Sequence, residues 1–215
     1  MKLAVIDLRT ADAATRCAAL ARPANDARDT LLAEVRVIVD AVRTRGDAAL
    51  RDYATRFDGH ASALAVDAAT VDAAVARLPA AALAALQRAI DNVRRFHAAQ
   101  MPAPLAVETA PGVLCERVVR PLDSVGLYVP AGSAPLPSAL VMSAVPATLA
   151  GCRRIVLCTP ARNGAVDIAI LAAARLCGIT EIFAVGGAQA IAAMAYGTET
   201  IPKVDKIVGP GSAWV

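Results

Sequence analysis

The feature that most constrains this chain is a change of hydrophobic period near Leu105. Before it, apolar residues recur every three or four positions, the spacing of one helix face. After it, short apolar runs that end in glycine alternate with helical stretches. One-faced helices followed by a strand–turn–helix rhythm imply an α/β protein, with crossover helices on a parallel sheet.

In the first half, Leu31, Val35, Ile38 and Val42 share a helix face. Gly46 ends that helix and Asp47 is placed to cap the next, whose Leu50 and Phe57 point the same way until Gly59. Asp67 opens a helix carrying Val71, Val75 and Leu78. A longer one follows Pro79, with Leu83, Leu86, Ile90 and Val93 inward and Arg88, Asp91, Arg94 and Arg95 outward. His97 falls near its C-terminal end, where a cation suits the helix dipole and no catalytic partner is close in sequence. Strands at 107–109 and 113–119 flank Ala110-Pro111-Gly112, a hairpin turn.

Thereafter the pattern predicts strands at 125–129, 154–158, 181–185 and 206–208, and helices at 137–150, 168–177 and 188–196. Pro137 sits in a first helical turn, where its missing N–H costs nothing. The expected organisation is a mainly helical region over residues 1–120, ending in the hairpin, and an incomplete Rossmann-like domain over 121–215. Beyond Gly209-Pro210-Gly211, Ser212 is a good N-cap and Ala213-Trp214-Val215 a first helical turn. The sequence therefore reads as the front part of a longer polypeptide with apolar area left uncovered; the alternative is a terminus tucked against a sheet edge.

Composition narrows the partners. At 57% hydrophobic and 19% charged residues the chain is no disordered linker, although its mean hydropathy of +0.51 arises without the roughly 18 consecutive apolar residues of a membrane span. A net charge of +3, scattered, with 3% aromatic residues gives no footprint for nucleic acid. The apolar patch at residues 1–6 is too short for a signal-peptide core, so the expected compartment is cytoplasmic. Five cysteines form no Cys-x-x-Cys pair, and His60 and His97 are the two histidines, so no complete metal site is expected within the chain.

Three strand-to-helix loops could carry a ligand: Tyr128-Val129-Pro130-Ala131-Gly132, Val185-Gly186-Gly187-Ala188-Gln189 and Val208-Gly209-Pro210-Gly211-Ser212. Small residues admit a phosphate close to the backbone, and a following helix start adds partial positive charge. None is G-x-G-x-x-G, but three in succession at equivalent strand ends favour a nucleotide-type ligand. Tyr128 either presents its ring to that ligand or packs under the loop. Gln189 either uses its amide on the ligand or decorates a first helical turn. A thiol nucleophile at Cys152 or Cys158 is disfavoured, since Cys158 lies in an apolar strand and neither has a nearby histidine.

Arg120-Pro121-Leu122-Asp123-Ser124-Val125-Gly126-Leu127-Tyr128-Val129-Pro130, Ala134-Pro135-Leu136-Pro137-Ser138 and the run from Val185-Gly186-Gly187-Ala188-Gln189 through Tyr196-Gly197-Thr198-Glu199-Thr200 to Val204-Asp205-Lys206-Ile207 resemble the histidinol dehydrogenase family. The resemblance is dense from Arg120 onward and looser before it, where Arg45-Gly46-Asp47 and Phe57-Asp58-Gly59 also match. It implies a homodimeric, Rossmann-like enzyme, dependent on NAD and containing zinc, that oxidises L-histidinol through L-histidinal to L-histidine. Tyr128 and Gln189 fall on NAD-contacting positions. Ser212 stands at a third, where the family has asparagine; serine keeps a hydroxyl but is shorter and lacks the paired amide donor and acceptor. Ala131 replaces a family glycine and would be strained if that position needs positive φ. The zinc ligands and the glutamate–histidine acid/base pair are implied downstream of the Gly-Pro-Gly loop, so no catalytic residue and no metal ligand is assigned here, and the chain alone is expected to lack activity. The competing expectations are a paralogue oxidising another small alcohol, such as a sulfonated diol, and a non-catalytic binding protein.

Overall fold

The computed structural model describes residues 5–21, 28–59, 63–131 and 134–215. Residues 1–4 of the N-terminal patch, His60, and Gly132 and Ser133 of the first glycine loop lie outside them. Fourteen elements follow in chain order. Five helices come first: α1 (Ala13–Leu20), α2 (Arg28–Arg45), α3 (Asp47–Asp58), α4 (Ala68–Arg77) and α5 (Ala80–Ala98). The hairpin β1 (Leu105–Ala110) and β2 (Val113–Arg117) leads into β3 (Ser124–Tyr128), α6 (Pro137–Leu149), β4 (Arg154–Cys158), α7 (Ile168–Leu176), β5 (Glu181–Phe183), α8 (Gly187–Tyr196) and β6 (Lys206–Val208).

The last four strands form one parallel sheet in the order β5-β4-β3-β6, as the strand–helix rhythm predicts. The order runs outward from β3 to β5 and then reverses to place β6 on the other side of β3. In such sheets that reversal opens a crevice beyond the strand ends.

Both faces of the sheet are covered, so its strands alternate between two cores. Val125, Leu127 and Val129, with Leu157, face a cluster built with Val71 and Ile90 from α4 and α5, Leu140 and Val145 from α6, and Ile170 and Leu171 from α7. Tyr128, Val156 and Cys158 face the other, with Val42 of α2, Leu50 of α3 and Met194 of α8. Gly126 points to that second side, where a Cβ would come within 2.6 Å of Met194 Sδ. The absence of a side chain lets α8 lie close on the strand.

Capping decides several boundaries. Asp67 accepts from the Thr70 N–H at 2.6 Å and starts α4; Pro137 occupies the first turn of α6; Gly59 and Gly178, both at positive φ, follow α3 and α7. Two expectations need correction. Asp47 is the first residue of α3 rather than its cap: Gly46, at φ 52°, holds the cap position. Phe57 does not share the buried face of Leu50; it is 53% exposed and stacks on Tyr53 at 5.6 Å between centroids.

Two features join the helical half to the sheet. The Val66 N–H donates to Ile182 O at 2.9 Å and the Ala184 N–H to Leu64 O at 2.8 Å, which occupies the outer edge of β5; the strand itself ends at Phe183, two residues earlier than its apolar run predicts, where its ladder with β4 stops. Asp47 is buried, and its carboxylate accepts from the Thr200 hydroxyl and N–H while its own N–H donates to Glu199 Oε2 at 2.8 Å. By contrast every residue of β1 and β2 is exposed; Gly112, at φ 77°, turns the hairpin with its N–H on Glu108 Oε1. Among the described residues no single helix is long and apolar enough to cross a membrane.

Burial by itself would raise the Asp47 pKa, but the Thr200 and Thr198 hydroxyls, the Thr200 N–H and Arg51 together hold it below the ordinary value. A carboxylate depressed in the folded state stabilises above its unfolded pKa of about 3.9, and the contribution disappears as pH falls through the folded value. Asp47→Asn is therefore expected to cost about 1–3 kcal/mol at pH 7. The gap from the parent should narrow as urea unfolding is repeated from about pH 5 down to pH 3. A gap that stays constant over that range would remove the ionised carboxylate from the account.

Candidate functional site

The crevice at the strand reversal is organised around Tyr128, the last residue of β3. Its side chain is buried, 4% exposed, and its hydroxyl oxygen accepts the Gly187 N–H at 3.0 Å. On its other side Gly209 passes so close that a Cβ there would fall 2.0 Å from Tyr128 O. One residue thus touches two of the three glycine loops. Between the two sequence-level readings, the structure places the ring beneath the loop, in the core with Val185 and Met194.

The loop between β5 and α8 has little freedom. A Cβ on Gly186 would meet Pro160 Cβ at 2.6 Å, and one on Gly187, at φ 64°, would meet Gln189 Oε1 at 2.6 Å. The Gln189 side chain therefore folds back over the space that Gly187 leaves open. The first α-helical bond of α8 runs from the Ala190 N–H to Gly186 O, so the Ala188 and Gln189 amides precede it at the positive end of the helix.

These loops wall a cavity of about 690 Å³. Gly186 through Gln189 form one side and Pro160 through Asn163 another; Ile38 and Phe57 reach in from α2 and α3, and Ala131 and Trp214 complete the lining. Its size lies within the range of small-molecule sites. Gln189 is 4% exposed, yet among the described residues its amide has no hydrogen-bond partner and opens on this cavity. The amide atoms of Gln189 are open to the cavity rather than sealed, so they are free to bond whatever enters it. Thr159, just before Pro160, has the one buried side-chain oxygen among the described residues that is fully sealed and unpaired.

Ser212 is exposed and builds a short turn, its Oγ accepting from the Trp214 N–H at 3.3 Å and its carbonyl from the Val215 N–H at 3.0 Å. It is Trp214 from this turn, rather than Ser212, that lines the cavity. Ala131 pairs with Pro135 without positive φ; among the described residues Asn163, at φ 50°, is the one non-glycine that has it. Gln189 thus reaches the cavity, Tyr128 supports its floor, and Ser212 flanks it. Sequence reasoning missed Phe57, Arg162, Asn163 and Trp214. The Asn163-Gly164 dipeptide was a readable turn signal; the inward reach of Phe57 depends on helix placement alone.

No activated thiol adjoins these groups. Cys158 is fully buried and burial pushes its thiol strongly upward, while Cys177 is pushed up to about 11 by burial, Arg94 opposing.

Comparison with known proteins matches residues 20–215 to the family model described as histidinol dehydrogenase. The chain is 51% identical over 213 residues to the histidinol dehydrogenase of Xanthomonas axonopodis pv. citri (strain 306), covering 98% of this chain and 49% of that protein. It is 50% identical over 212 residues to that of Salmonella typhimurium, covering 98% and 48%. The crystal structure of histidinol dehydrogenase from Elizabethkingia anophelis superposes with a TM-score of 0.83 at 40% identity, covering 91% of this chain and 45% of that one. The chain spans about half the length of the curated relatives it matches.

The close approach of Gly209 to Tyr128 separates two glycine substitutions. Gly112→Ala meets no atom within 4 Å and bears only the strain of φ 77°, about 1 kcal/mol. Gly209→Ala must displace backbone and should cost roughly 3 kcal/mol or more. Thermal melts of the two variants should differ by several degrees in that order; equal melting temperatures would contradict the packing of β6 on Tyr128.

Proposed function

The chain belongs to the histidinol dehydrogenase family, and from that premise we propose that it forms the NAD-binding side of an enzyme oxidising L-histidinol through L-histidinal to L-histidine, the last step of histidine biosynthesis. The observation that carries the reading is the unpaired, buried Gln189 amide opening on a 690 Å³ cavity at the reversal of strand order.

The residues suit a dinucleotide. The Ala188 and Gln189 amides at the start of α8 suit an anion, and the Gln189 side chain, folded over Gly187 at the cavity wall, can donate and accept at once. NAD held by these residues would supply the hydride acceptor for both oxidations. Tyr128 serves by holding Gly187 through its hydroxyl, which fixes the direction of the first α8 amides. Ser212 offers a hydroxyl at the cavity's flank. We assign Tyr128, Gln189 and Ser212 to cofactor binding on this basis. Phe57 and Trp214 give the site two half-exposed aromatic faces on which a nucleobase or nicotinamide ring can lie.

Zinc is a different case. Among the described residues no three His, Cys, Asp or Glu side chains converge, so the residues here do not fit a zinc site and no step is routed through one. The division at residues 120 and 121, a homodimer, the substrate L-histidinol and a cytoplasmic location belong to the same proposal.

Equilibrium titration with NAD tests the reading. The protein should bind it, and Gln189→Ala should weaken binding about tenfold, equivalent to about 1.4 kcal/mol, with the circular dichroism spectrum unchanged. NAD binding that is indifferent to Gln189, or absent from the parent protein at millimolar concentration, would refute the assignment.

A further inference from the structure

The loop that follows β4 carries a positive charge that the protein leaves unneutralised. Arg162 lines the cavity, and it is the one charged side chain among the described residues that do so. Several other arginines find carboxylates, as Arg154 does with Glu181, Arg51 with Asp47 and Arg175 with Asp72; what sets Arg162 apart is its place in the cavity wall. Arg162 has no such partner among the described residues. The nearest acid along the chain, Asp167, is committed to the Ala169 N–H at 2.8 Å as the cap of α7.

The backbone that carries this exposed side chain is held by a tight turn. The Arg162 N–H donates to Ala165 O at 2.8 Å and the Ala165 N–H returns to Arg162 O at 3.1 Å, while Asn163 and Gly164 adopt φ 50° and 84°. Two successive positive φ values with reciprocal bonds make a type I′ turn. Across the same cavity stand the first amides of α8 and the unpaired Gln189 side chain. A guanidinium and a helix start facing one space, with no carboxylate in its lining, are complementary to an anion.

We infer that Arg162 pairs with a phosphate of the dinucleotide held in this cavity, an inference that rests on the NAD reading above. The shared chemistry is phosphate, and it has two sources. One is the pyrophosphate lying on α8. The other is a ribose 2′-phosphate, because the loop after the second strand of a doubly wound sheet is where adenosine riboses are read. No acidic residue stands between Thr159 and Val166 to exclude that group.

Trp214 is the chain's single tryptophan and lines the cavity, so its fluorescence reports occupancy. The parent, Arg162→Ala and Arg162→Lys proteins are titrated with NAD, NADP, ADP-ribose and adenosine at low and high salt. Arg162→Ala should weaken ADP-ribose, if the pyrophosphate is the partner, or NADP, if the 2′-phosphate is, five- to tenfold and flatten the salt dependence of that ligand, with adenosine changed less than twofold and Arg162→Lys restoring most of the loss. Equal losses for NAD and NADP assign the pyrophosphate; a larger loss for NADP assigns the 2′-phosphate. Unchanged affinity for ADP-ribose and NADP in Arg162→Ala, with Gln189→Ala still weakening NAD, overturns the inference and leaves the NAD reading intact. Adenosine weakened as much as ADP-ribose also overturns it. A parent protein that takes up none of the four at millimolar concentration overturns both.

Discussion

The geometry of the crevice depends on the hydroxyl of Tyr128. A phenol at the end of β3 reaches the Gly187 N–H at 3.0 Å, and its own carbonyl lies under Gly209 with no room for a Cβ. Strand ends from both sides of the reversal are thereby fixed to one residue of the central strand. The glycines at 186, 187 and 209 follow from this arrangement. Each lies where a Cβ would overlap Pro160, Gln189 or Tyr128, so their absence of side chain is set by close approach of protein to protein as well as by access for a ligand.

The helical half is more than a cover for the sheet. α2 and α3 contribute Ile38 and Phe57 to the cavity, and Asp47 at the start of α3 clasps Thr200 in the connection from α8 to β6. The segment at residues 64–66 extends the sheet beyond β5. Because α2 packs on α8, and α8 begins at the Gly186-Gly187 loop, the cavity inherits its shape from both halves of the chain.

Much of this was legible in the sequence for identifiable reasons. Elements with a strong local signature were read close to their observed bounds: α4 from Asp67, α6 from Pro137, the hairpin from Pro111-Gly112, and the parallel strands from apolar runs that end in glycine. Local signals failed where a distant partner decided the outcome. Asp47 has the chemistry of a cap, but a buried bond to Thr200, 153 positions away, outweighs that use. β5 stops at Phe183 although Ala184 and Val185 continue its apolar run, because its neighbour β4 ends at Cys158 opposite it. Phe57 follows the helical period and still stays half exposed, since the space it reaches into is an open cavity rather than a core. Gln189 was singled out from its place after two glycines; that its amide would lie buried and unpaired could be known only once Pro160 and Gly187 were in position.

The bonds from Asp47 to Thr200 and from Val66 to Ile182 have a temporal meaning during synthesis. The front helices leave the ribosome with Val42, Leu50 and Leu64 ready to be buried, but the surfaces that bury them arrive only with α8 and residues up to Ile201. At a typical elongation rate the interval is on the order of ten seconds. Contacts of such high sequence separation also slow closure of the native topology. For that time the nascent front half carries apolar helix faces whose covering surfaces are not yet made.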